Sequence, residues 1–197
     1  MTALDVSSDA GLAAMVLLTV NILLGLILSA RYNTVRSWPH KRLPIFDIHN
    51  WTAYIALGLI VVHPALLLLV GEAKFRVVDL LFPIHSPKQT LYNNFGAMAF
   101  YCVVFVVITS YFRSKLGSRT WKKLHYASYA AAALLFFHGV MEDPLLKNQA
   151  PDFLDGEKVL IEGCALIIVA ATIWRIRYQP KKRAVGASVN KIDYEAV

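Results

Sequence analysis

Six histidines occur in the 197 residues, and four of them form two similarly spaced pairs: His49 with His63, fourteen residues apart, and His125 with His138, thirteen apart. The pairs lie in the second and fourth of five strongly apolar stretches. Polar side chains at membrane depth are costly, by about 2.5–3.5 kcal/mol for a full charge and less for a neutral imidazole, which makes such histidines functional candidates. A lone histidine in a span is as readily a hydrogen-bonded core residue, since an interhelical imidazole bond is worth only about 1 kcal/mol. The spacing argues for more. At 1.5 Å per residue, fourteen residues separate two side chains by about 21 Å along a helix and bring them back to within about 40° of one direction. His49 and His63 therefore share a helix face, one near each membrane surface. The second and fourth spans run the same way, so His49 shares a depth with His125 and His63 with His138. Two facing neutral imidazoles at one depth are the axial ligand set of a six-coordinate haem iron. Two levels imply two haems, an inner one at His49/His125 and an outer one at His63/His138. No C-x-x-C-H motif for covalent attachment is present, which points to haem b.

Thirteen residues of ideal helix would leave His125 and His138 about 140° out of phase, so a local π or 3₁₀ distortion is expected near His125. Pro64 cannot donate to the Ile60 carbonyl and should kink the second span, though a membrane-helix proline without a role reads the same way. A flat porphyrin needs room, and Gly58 with Ala130, Ala131, Ala132 and Ala133 removes bulk between the levels; small residues equally serve close helix packing. Arg113 and Arg119, with Lys122 and Lys123, are placed to pair with haem propionates, or simply to set topology. His40 and His85 fall in loops and read as surface residues. Glu162, at the start of the fifth span, suits either a proton or quinone contact or a place at the interface.

The elements that must position these residues follow from composition. With 57% apolar residues, the chain reads as all-α, an integral membrane bundle of about five transmembrane helices forming one haem-binding domain over 1–197. The spans fall at about 11–30, 49–70, 92–112, 121–141 and 158–176. The first is not a secretory signal, because Asp5 and Asp9 stand where a basic segment belongs and the apolar run is too long. Cys102 and Cys164 lie inside spans as small core residues. The net charge of +7 does not call for nucleic acid. Its basic residues gather between spans one and two (Arg31, Arg36, Lys41, Arg42), between three and four (Arg113, Lys115, Arg119, Lys122, Lys123) and after span five (Arg175, Arg177, Lys181, Lys182, Arg183, Lys191). That asymmetry puts the N-terminus outside and the C-terminus in the cytoplasm of a multi-pass inner (plasma) membrane protein, with membrane lipid around it. The connection 71–89 mixes apolar and charged residues and suits the outer membrane surface. About 20 residues follow Trp174, too few for a nucleotide-binding domain, so a soluble reductase is expected on a separate chain.

The segment T-S-Y-F-R-S-K-L-G-S-R-T-W-K-K-L-H-Y-A-S-Y-A-A-A-A-L-L-F-F-H-G, Thr109 to Gly139, closely resembles the ferric reductase-like transmembrane domain. That domain is shared by ferric reductases, NADPH oxidases and the haem subunit of bacterial methionine sulfoxide reductase. Span two, I-H-N-W-T-A-Y-I-A-L-G-L-I-V-V-H, is similar to the family's other ligand helix, and the 14 and 13 spacings resemble those of the NADPH oxidases more than respiratory cytochrome b. The resemblance covers most of 40–175. It implies a relay from the inner haem to the outer haem and on to an extracytoplasmic acceptor. It also implies a missing first helix relative to six-helix members, and a donor on another protein: a flavoreductase carrying the flavin, a periplasmic reductase partner, or membrane quinol. An electron-transfer subunit is the first expectation; a haem-binding scaffold in a larger respiratory or photosynthetic complex is the second, and a haem-free channel or transporter the third.

Overall fold

The computed structural model describes residues 2–29, 44–71, 74–143, 146 and 151–195, with side chains described to residue 177. His40, Arg31, Arg36, Lys41, Arg42 and Lys147 lie outside the described residues, as do the side chains of Lys181, Lys182, Arg183 and Lys191. Each apolar stretch forms a helix: α1 (Ala3–Ser29), α2 (Ile45–Leu66), α4 (Thr90–Tyr111), α7 (Ala127–Met141) and α8 (Gly156–Glu195). Short helices α3 (Val77–Leu81), α5 (Arg113–Leu116) and α6 (Ser118–His125) connect them. All regular structure among the described residues is helical, and five helical stretches are long and apolar enough to cross a membrane: Ala3–Ser29, Ile45–Leu69, Thr90–Tyr111, Ser118–Met141 and Gly156–Arg177.

The first span starts earlier than hydropathy suggests. The Asp5 amide donates to Thr2 Oγ1 at 3.3 Å while the Thr2 amide donates to Asp5 Oδ2 at 2.6 Å, a reciprocal cap that satisfies two backbone donors at the helix start. At the other end of the bundle Gly117, at φ 73, makes the left-handed turn between α5 and α6 that a side chain would resist.

The outside of the bundle is apolar. Trp51 (66% exposed), Leu166 (69%) and Ile176 (66%) are among many large hydrophobic side chains turned outward, as expected where hydrocarbon is the solvent. The inside is thin and apolar. Ala14, Ile60, Val103 and Ala131 form one buried cluster across α1, α2, α4 and α7, and Met15, Val140, Ile161 and Cys164 a second across α1, α7 and α8. Cys102 packs against the first cluster. Helix α1 packs along α2 and α8, and α4 along α7, while α2 and α7 share the central cluster through Ile60 and Ala131.

Lys158 is 4% exposed, and its ammonium donates to the Gly139 carbonyl at 2.7 Å and to the Glu142 carbonyl. It thereby satisfies carbonyls that the end of α7 leaves without helical partners. Lys158→Met should strand both and lower stability by about 1–3 kcal/mol, read as a reduced thermal midpoint in detergent; an unchanged midpoint would remove the lysine from this role.

Candidate functional site

The four span histidines meet in pairs. The His49 and His125 ring centroids are 6.3 Å apart, and those of His63 and His138 are 6.1 Å apart. Helix α1 carries the contacts of both levels: Ser7 reaches His63 and Asn21 reaches His49, fourteen residues along. The levels are thus separated by about 21 Å of helix.

Backbone carbonyls hold three of the rings. His49 Nδ1 lies 3.0 Å from the Asn21 carbonyl, His63 Nδ1 2.7 Å from the Ser7 carbonyl and His138 Nδ1 2.9 Å from the Tyr92 carbonyl. A carbonyl only accepts, so Nδ1 carries the proton in each case and Nε2 is left to face across the bundle. Ser7 Oγ donates to the His63 carbonyl at 2.7 Å, and Asn21 Nδ2 donates to the His49 carbonyl at 2.5 Å and to Thr52 Oγ1 at 2.9 Å. His125 is held differently. Its Nδ1 lies 3.2 Å from Ser110 Oγ, which accepts from the Trp121 indole at 3.3 Å, and the Trp121 ring sits 5.0 Å from the imidazole.

A glycine stands four residues after each carbonyl anchor: Gly11 after Ser7, Gly25 after Asn21 and Gly96 after Tyr92. Helical Cβ atoms lean toward the N-terminus, so a side chain at that position would cover the carbonyl one turn earlier. A Cβ on Gly11 would lie 3.0 Å from His63 Nδ1, one on Gly96 3.0 Å from His138 Cε1, and one on Gly25 3.4 Å from His49 Cε1. These glycines are what lets an imidazole reach an already bonded helix carbonyl.

The expected distortion near His125 is present. The helix breaks at Tyr126, whose amide donates to the Lys123 carbonyl at 3.3 Å, three residues back, and the Tyr129 amide does the same to Tyr126 at 3.0 Å. These 3₁₀-type bonds change the helical phase between His125 and His138 and let both rings face α2. After Pro64, α2 gives way to a 3₁₀ turn at Leu67–Leu69.

Both levels pass a fit test for a planar metal macrocycle. Two imidazoles bound to one metal at about 2.0 Å each, with roughly 1.1 Å more from nitrogen to ring centre, bring their centroids to about 6.2 Å. The observed 6.3 and 6.1 Å agree. Beside His63 and His138 lies a cavity of about 410 Å³, walled by Gly11, Ile60, Phe100 and Leu135 among others.

The other sequence candidates lie elsewhere. Arg113 is exposed, with its guanidinium carbon 4.8 Å from the centre of the Phe46 ring, and Arg119 is exposed on α6. Of the small residues, Ala131 is buried in the core cluster, whereas Gly58 is exposed with nothing within 4 Å of its would-be Cβ. His85 is exposed in a 3₁₀ turn, and Glu162 is half-buried in α8. The sequence reading missed Ser7, Asn21, Tyr92, Ser110 and the three glycines; the fourteen-residue repeat of polar residue and glycine on α1 was the available signal. It also missed Glu142, whose Oε2 lies 2.9 Å from His138 Nε2. Burial works to raise the Glu142 carboxyl, but His138, His63 and Lys158 together hold it below the usual range.

The sequence model of a family described as ferric reductase like transmembrane component matches residues 10–136. No curated protein and no solved structure matches the chain. The matched stretch takes in α1 from residue 10 as well as His49, His63 and His125, and stops two residues before His138.

Proposed function

The chain belongs to the ferric reductase like transmembrane component family, and from that premise we propose that it is a di-haem b cytochrome subunit carrying single electrons across the membrane. One observation supports this reading above the rest: two levels of facing imidazoles, at 6.3 and 6.1 Å, with the Nδ1 atoms of His49, His63 and His138 tied back to carbonyls, so that Nε2 is the nitrogen left for a metal. His49 with His125 would hold the inner haem and His63 with His138 the outer one. A haem iron between two imidazoles supplies reversible one-electron chemistry and has no open position for a substrate.

The residues of the chain do the rest. Asn21, Ser7 and Tyr92 fix ring orientation and tautomer through their carbonyls, and that hydrogen bond raises the basicity of the ligating nitrogen. Among the described residues His125 has no carbonyl partner of this kind; its Nδ1 shares a hydrogen bond with the Ser110 hydroxyl. Ala14, Ile60, Val103 and Ala131 fill the middle of the bundle with apolar bulk and keep water out between the levels. At one end of the bundle stand Arg113, Lys115, Arg119, Lys122, Lys123 and Arg175; at the other stand Asp5, Asp79, Glu142, Asp155 and Glu157. By the positive-inside rule the first end faces the cytoplasm, which makes His49/His125 the entry level. There a flavoprotein or quinol would donate, and an extracytoplasmic acceptor would take the electron at the His63/His138 end.

The test is transmembrane reduction in proteoliposomes. With dithionite outside and ferricyanide trapped inside, the protein should reduce the trapped acceptor, and His63→Ala should abolish the reaction. Two bound haems with no transfer would leave a haem-binding scaffold as the function instead.

A further inference from the structure

Two imidazoles are all that a haem at the His63/His138 level requires, yet a carboxylate stands between them and the end of the bundle. Glu142 Oε2 lies 2.9 Å from His138 Nε2, and the ligand atoms of His63, His138 and Glu142 all fall within 4.8 Å of one another. Because the Tyr92 carbonyl takes the Nδ1 proton of His138, the short Nε2···Oε2 contact is closed either by a second imidazole proton, as an ion pair, or by a metal ion in that proton's place. That position suits a metal ion. Two ligands at right angles on one ion, each about 2.1 Å from it, are about 3.0 Å apart, and the His138–Glu142 pair has that spacing.

From this we infer that, when the level holds no haem, His63, His138 and Glu142 form a two-histidine, one-carboxylate site for a divalent transition-metal ion. The donor set is the one that zinc, iron and cobalt take up, with coordination completed by water. The adjoining cavity of about 410 Å³ offers space for that water. The Ser7 and Tyr92 carbonyls orient both imidazoles, and Lys158 donates to the Glu142 carbonyl, holding the backbone that carries the carboxylate. The cation and the haem use the same two Nε2 atoms, so occupancy is mutually exclusive. Divalent metal thus becomes a competitor of haem loading at this level and at no other, since no carboxylate joins the His49/His125 pair among the described residues.

The inference goes beyond the electron-transfer reading and fails separately from it. The full chain, without a tag and produced under haem limitation, is titrated with zinc chloride by calorimetry and with cobalt chloride by visible absorption. One ion per chain should bind, with the cobalt spectrum of mixed nitrogen and oxygen ligation. Glu142→Gln should weaken zinc binding at least tenfold while the variant still takes up the haem held by His63 and His138, which also shows that it is folded. His138→Ala should lose both ligands. Zinc added first should slow haem uptake at the His63/His138 level alone. The inference is overturned if the wild-type chain binds no stoichiometric zinc, or if Glu142→Gln binds it as tightly. A chain that binds zinc in this way but never haem would leave the metal site standing and remove the cytochrome reading.

Discussion

Replacing His138 by alanine should remove one haem and spare the other, so that haem per chain falls from about two to about one and the remaining spectrum stays that of a low-spin, six-coordinate b haem. His63→Ala should do the same. The double variant His63→Ala/His138→Ala should lose nothing further, because both side chains serve one site. His49→Ala/His138→Ala should lose both haems, because each change empties a different level. This contrast tests pairing more sharply than any single substitution, since residues acting on one group are not additive while those on separate groups are. The pairing tested is the one given by the 6.1 and 6.3 Å ring separations. Equal losses in the two double variants would contradict the pairing.

The second large effect belongs to a residue with no side chain. Gly96→Ala would set a Cβ at 3.0–3.1 Å from Cε1, Nδ1 and Nε2 of His138, three atoms of one ring. Rotating the imidazole about its own bond cannot relieve three contacts spread around it, so the ring must leave the Tyr92 carbonyl or α4 must move from α7. Loss of such an orienting contact typically lowers metal-site affinity by about 10–100-fold, and haem retention at the His63/His138 level should fall by that order. Gly58→Ala is the control, with nothing within 4 Å of its added methyl. Haem retention is measured by equilibrium transfer to apomyoglobin. Equal retention in the two variants would show that the close approach at Gly96 does not matter.

The sequence was informative where hydrophobicity and periodicity speak directly. Five apolar stretches became five helices long enough to span, and the fourteen-residue interval put His49 and His63 on one face. The thirteen-residue interval announced a break, and Tyr126 supplies it with bonds three residues back rather than four. Other features were hidden for physical reasons. A backbone carbonyl has no side-chain identity, so Ser7, Asn21 and Tyr92 could not be recognised as ring anchors from their residue types. The glycine after each is legible only once its partner helix is known. Charge gave topology but little of the site: Arg113 lies over Phe46, a contact between α5 and α2 that nothing local in the sequence specifies. Glu142 stands among other acids between the fourth and fifth spans, and only the fold shows that, one turn beyond His138, it meets the imidazole edge to which a metal would bind.

The central claim is that two bis-imidazole sites lie stacked in one bundle. Its most direct test is the haem-to-protein ratio of the purified full chain in lipid, by pyridine haemochrome, together with the low-temperature electron paramagnetic resonance of the oxidised protein. The account predicts two b haems per chain and only low-spin ferric signals, those of irons with an imidazole on each side. No haem, a single haem in the fully loaded protein, or a high-spin signal from an iron lacking one imidazole would contradict it.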